Sequence, residues 1–152
     1  MNRNLRFKTF EEALAELENL EKGPVGTTGN WSFFQILEHC AGAIDRNMGG
    51  QMGQPSGFLK IVKGKLGKWA TLRRGYIPSG IINPRVQVQR IEGDATAAAT
   101  HLRESIKRFR DYHGPLSQHP RFGKMNKAEW EKFHIYHMAN HFGFVRRKNE
   151  QG

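Results

Sequence analysis

Apolar residues recur at intervals of three and four along four stretches of the chain, the spacing that gathers them on one side of an α-helix. In residues 10–22 the stripe is Phe10, Leu14, Leu17 and Leu20. Thr9 and Glu12 have capping-box spacing ahead of it, and Gly23 with Pro24 ends it. Residues 31–48 carry Trp31, Phe34, Leu37, Ala41 and Ile44, with Asn30 as the cap and Gly49 with Gly50 as the stop. Residues 95–112 follow Asp94, carry Leu102, Ile106 and Phe109, and close at Gly114 and Pro115. Residues 127–147 open on Asn126 and Glu129, a second capping-box spacing. They close on Arg146 and Arg147, with Lys148 next, cations where a helix dipole favours them.

A long stretch separates the second and third of these helices. Within it, residues 58–69 predict a shorter helix interrupted by Gly64 and Gly67. Pro78 and Pro84 mark a crossover loop, and "VQVQRI" alternates as a brief extended piece. There is no internal repeat. The pattern predicts an all-α fold, a four-helix bundle whose one long crossover joins helices two and three, in a single domain over 1–152.

Composition narrows the function classes. Cys40 is the only cysteine, so an internal disulfide and a thiolate metal cluster are both excluded. No run approaches the roughly 18 apolar residues of a membrane span. The opening "MNRNLRFKTFEEAL" has charges where a signal peptide needs an apolar run. A soluble, cytoplasmic protein with no membrane partner is expected. The net charge is +10, from 24 basic and 14 acidic residues, which favours anionic partners. The densest basic run, "KIVKGKLGKWATLRRG", reads as a solvated face or as a phosphate-contacting patch. Nucleic acid is a candidate partner, yet no recognition motif accompanies the charge, and base-stacking aromatics are nearly absent from that run apart from Phe58 and Trp69.

The candidate chemistry lies in "EKFHIYHMANHF", which holds three of the seven histidines. His134, His137 and His141 fall within about 60° of one another around a helix. His137 and His141, four apart, have the spacing of two imidazoles on one metal ion. A third ligand should come from a facing helix, and His39, in "WSFFQILEHC" and mid-way along the second helix, is the best placed. Three histidines would leave open positions for water or substrate, as catalytic sites do. Zinc, nickel, iron and manganese all accept such ligands. His134 stands as an alternative ligand or a proton-transfer residue, with Tyr136 as a second proton carrier. Gln35 is placed to orient a ligand or substrate, whereas Glu38 is turned away from His39 by about 100°. Trp31, Trp130 and Phe133 line a pocket or, more simply, fill the core. His101 and His113 read as surface residues, and His119 as a loop-shaping one. Plain aromatic packing explains the histidine spacing equally well, because a cluster left neutral or open to solvent needs no metal.

Two segments resemble a known family. "NWSFFQILEHCAGAID" is similar to the second-helix motif of the DinB-like (YfiT-like) metalloenzyme superfamily. "GPLSQHPRFGKMNKAEWEKFHIYHMANHFGFV" resembles the C-terminal motif of an uncharacterised branch of it, and "FKTFEEALAELENL" is similar to the same branch. The resemblance implies a four-helix bundle of up-down-down-up order and a divalent metal held by His39, His137 and His141. Where many relatives carry adjacent histidines, Asn140 precedes His141 here. Characterised members of the wider superfamily include thiol-dependent S-transferases and a thiol-dependent isomerase. The resemblance therefore implies a metal-dependent thiol S-transferase or hydrolase acting on a small substrate, with a low-molecular-weight thiol as a possible second cofactor. The rival readings are a non-catalytic nucleic-acid-binding module and a metal-free bundle that mediates oligomer contacts. A homodimer is the default assembly.

Overall fold

The computed structural model describes residues 1–50, 52, 57–78 and 89–148. Five helices and one small sheet are found among them: α1 (Phe10–Glu21), β1 (Val25–Thr27), α2 (Phe33–Met48), α3 (Phe58–Arg74), α4 (Ala95–Asp111), α5 (Lys127–Phe142) and β2 (Val145–Arg147). The fold is mostly helical and not strictly all-α, which corrects the sequence expectation.

The helix starts follow from side chains that satisfy the free amides of a first turn. Thr9 accepts from the Glu12 amide at 3.2 Å, and Asp94 from the Ala97 amide at 3.0 Å. Asn126 and Glu129 form a reciprocal box at the start of α5. The second helix begins two residues later than its apolar pattern suggested. Its cap is Ser32, whose box with Gln35 outcompetes Asn30 as the start.

The last helix ends earlier than expected. Gly143 sits against Asn2, where a Cβ would fall 2.1 Å from the Asn2 Oδ1. The chain then turns back, Val145 buries, and β2 pairs antiparallel with β1, Thr27 opposite Val145 and Val25 opposite Arg147. Arg146 and Arg147 are thus on a strand, not on the end of a helix.

The third helix is longer than expected and passes through both glycines. Gly64 lets its backbone meet the Arg121 carbonyl, which a Cβ would approach to 2.1 Å. These glycines are points of close approach and not interruptions. The alternating "VQVQRI" run falls largely outside the described residues, and its last part, residues 89–91, is irregular.

One core joins α1, α2, α4 and α5. Phe10 and Leu17 from α1, Ile36, Leu37 and Ile44 from α2, Leu102, Ile106 and Phe109 from α4, and Trp130, Ile135 and Phe142 from α5 are all at most 2 % exposed. Burial of this kind stabilises by roughly 1.5–3 kcal/mol per large side chain. Helix α2 packs mainly on α4 and also on α5, whereas α3 rests on α5 and on the loop that precedes it. The α2–α5 contact is the one that positions the histidines.

Candidate metal centre

His39 lies on α2 and His137 and His141 on α5, and the packing of these helices brings the three rings together. The Nε2 atoms of His39 and His137 are 3.0 Å apart. Those of His141 and His137 are also 3.0 Å apart. The three side chains offer ligand atoms that all lie within 4.8 Å of one another. His137 Nε2 is thus shared, although one ring nitrogen has a single proton or a single lone pair to give.

Aromatic rings frame the cluster. Trp31 stacks flat on His141, with centroids 5.4 Å apart and planes within 6°. Its edge contact with His39 is 4.7 Å between centroids. Phe133 stacks on His137 at 5.7 Å and 12°. Trp31 and Phe133 therefore wall the site, whereas Trp130 is wholly buried and belongs to the core.

Electrostatics keep the rings neutral. Burial lowers the His39 pKa to about 4, with the Arg46 charge adding to it. Burial, then the His39 charge, lowers that of His141 to about 3. His137 is held well below 6.5 by burial and by His141 and His39 beside it. Neutral imidazole is the ligating form. Tetrahedral ligands about 2.0–2.1 Å from one ion stand about 3.3 Å apart, close to the spacing of the two contacts made by His137. The donor set and the spacing both fit a divalent transition ion.

The other sequence candidates are placed elsewhere. His134 is 1 % exposed, stacked on Trp130 at 5.3 Å and edge-on to Phe109 at 5.2 Å. Its Nε2 meets Asn47 Oδ1 at 3.3 Å, and its Nδ1 has no hydrogen-bond partner. The structure does not bring it into the trio. The Tyr136 hydroxyl lies near Gly75, at the end of α3. Gln35 is not free to orient a ligand: its Oε1 accepts from the Ser32 and Ile91 amides and its Nε2 donates to the Gln89 carbonyl at 2.8 Å. Glu38 turns away, its carboxylate 3.1 Å from His101 Nδ1. Cys40 is buried next in sequence to His39, and burial raises its thiol pKa, so it offers no thiolate. His119 shapes its loop as expected, Nδ1 accepting from the Arg121 and Phe122 amides.

Two roles were missed from the sequence. Asn47 is the buried partner of His134, and the signal was available: it is a polar residue at an inward position of α2. His101 is not a plain surface residue, because it bridges Glu38 and Asp45 and ties α2 to α4.

The chain belongs to the family described as Protein of unknown function (DUF1569), which it matches over residues 1–148. No curated protein and no solved structure matches it.

Proposed function

We propose that this chain is a metal-binding protein and a metal-dependent enzyme of the thiol S-transferase or hydrolase type. His39, His137 and His141 hold one divalent transition ion, zinc, nickel, iron or manganese. The observation that carries the reading is the convergence of three neutral imidazoles on His137 Nε2, with two 3.0 Å contacts that one nitrogen cannot serve as two linear hydrogen bonds. An ion among the rings satisfies all three nitrogens together. Three protein ligands leave positions for water, a thiol or a substrate. The resemblance to the DinB-like superfamily supports the same ligand set, and we include membership of that superfamily, with its four-helix bundle, in the proposal. Helices α1, α2, α4 and α5 already share the one core such a bundle requires.

Bound there, the ion would supply Lewis acidity, lowering the pKa of a thiol or a water in an open position. The chain's own groups do the rest. Trp31 and Phe133 fix the ring planes of His141 and His137 by stacking. A proton-transfer role for His134, one turn before His137 on α5, belongs to this reading as well. The charge of +10 suits a small anionic substrate.

Elemental analysis of untagged protein, wild type and His137→Ala, tests the assignment. About one equivalent of a transition metal is expected in the wild type and about a tenth or less in the variant. A wild type that stays empty after loading and desalting sinks the reading and favours a metal-free bundle. Equal metal in both proteins sinks the ligand assignment.

A further inference from the structure

Helix α3 stands outside the core, pinned along one face. Gly64 and Gly67 lie against Arg121 and Phe122, and Lys68 donates to the Lys124 carbonyl at 3.2 Å and pairs with Glu129 at 3.1 Å. The opposite face has no covering element among the described residues. Leu59 is 65 % exposed, Leu66 64 % and Trp69 59 %, with Val62 partly exposed between them. At about 100° per residue these four side chains fall within a sector of about 80°, centred opposite Gly64. They form one apolar stripe, not scattered surface residues.

Cations border the stripe. Lys63 projects on one side and Lys65 on the other, and the Arg73 guanidinium lies 5.0 Å from the centre of the Trp69 ring. Helix α3 contains Lys60, Lys63, Lys65, Lys68, Arg73 and Arg74 and no acidic residue. A row of leucine, valine and tryptophan with lysine and arginine along its borders matches a lipid surface, where apolar side chains enter the acyl boundary and cations meet anionic headgroups. With six cations the helix lies on such a surface; it does not cross it.

We propose that the outer face of α3 is a docking surface for anionic membranes. Two rival occupants fit less well. A second copy of this chain would set the same cations against each other across a two-fold axis. A nucleic acid would engage Lys63 and Lys65 and leave Leu59 and Leu66 in water.

The test is flotation of the purified full chain with phosphatidylcholine vesicles that contain or lack about 30 % phosphatidylserine. We expect binding to the anionic vesicles at least about tenfold tighter than to the neutral ones, and weakened by salt. Leu59→Gln with Leu66→Gln should lower it by about a hundredfold and Lys63→Glu with Lys65→Glu by at least about tenfold. On vesicle addition the tryptophan emission should shift to the blue in the wild type and stay in place in Trp69→Phe. All these positions are exposed, so unchanged far-UV circular dichroism and unchanged metal content separate this result from a folding fault or a failure of the metal site. Equal binding to both vesicle types, or full binding by the double glutamine variant, overturns the proposal. So does tight binding of a short DNA duplex that needs the lysines and ignores the leucines.

Discussion

His39 Nε2 lies 3.0 Å from His137 Nε2, although the two residues are 98 positions apart in the chain. A ligand held by this pair bridges α2 and α5 and exists only in the folded state. Metal bound as proposed should therefore raise stability by mass action, by about 4 kcal/mol when free metal exceeds its dissociation constant a thousandfold. Thermal unfolding with and without zinc or nickel checks this. The wild type should gain several degrees or more, and His39→Ala, which keeps only the α5 pair, should gain little.

Acid should destabilise the metal-free protein through its buried imidazoles. Burial, with the His119 charge adding to it, lowers the His134 pKa from 6.5 to about 3. The unfolded chain then binds a proton between those values that the folded chain refuses, so stability is whole above about pH 6.5 and falls as pH drops towards 3. His39, His119 and His141 shift in the same direction. Urea unfolding in chelator at a series of pH values measures the slope. His134→Phe, a flat apolar ring between Trp130 and Phe109, should remove about 1.4 kcal/mol per pH unit of that slope around pH 5 to 6.

His101 should behave oppositely. Burial alone would lower its pKa, but hydrogen bonds to Asp45 and Glu38 outweigh that and raise it above 6.5. Its contribution is present below the unfolded value of 6.5 and lost as pH rises through the folded one. The ring is about a third exposed, so solvent screens the pair and His101→Gln should cost less than about 1 kcal/mol at pH 6, and less still at pH 9. Histidine proton resonances give the direct reading. The His101 midpoint should lie above 6.5 and fall in Asp45→Asn; a midpoint below 6.5 in the wild type would contradict the bridge.

The helices of the core were legible because their signals are local. Thr9, Asp94, Asn126 and Glu129 announce helix starts within three residues of the bonds they make. The trio His39, His137 and His141 was legible for a related reason: the i, i+4 pair is local, and the facing helix had few histidines to offer. Strand β2 was not, because Val145–Arg147 has no pattern of its own and takes its form from β1, far away in the chain. The fate of Gln35 was hidden likewise, and so was the partner of Glu38. Their partners, Ile91 within the crossover and His101 beyond it, come from far along the chain. The sequence showed which residues bear chemistry, and long-range packing decided which remained free to use it.

Gly64 and Gly67, one turn apart on α3, should respond differently to the same added methyl group. A Cβ on Gly64 would fall 2.1 Å from the Arg121 carbonyl oxygen, a backbone atom with no room to yield. A Cβ on Gly67 would meet the Phe122 ring at 3.4 Å, an ordinary contact. Alanine also favours a helix interior over glycine by about 1 kcal/mol. Gly67→Ala should therefore be neutral or slightly stabilising, whereas Gly64→Ala should cost about 1–3 kcal/mol and lift α3 from its seat. The damage should stay local, because no described side chain of α3 belongs to the buried core that joins α2 and α5. Hydrogen exchange distinguishes this from general unfolding. In Gly64→Ala the amides of α3 should lose protection while those of α2 and α5 keep it and the metal content stays unchanged. Loss of protection throughout the chain would mean that α3 is part of the cooperative core.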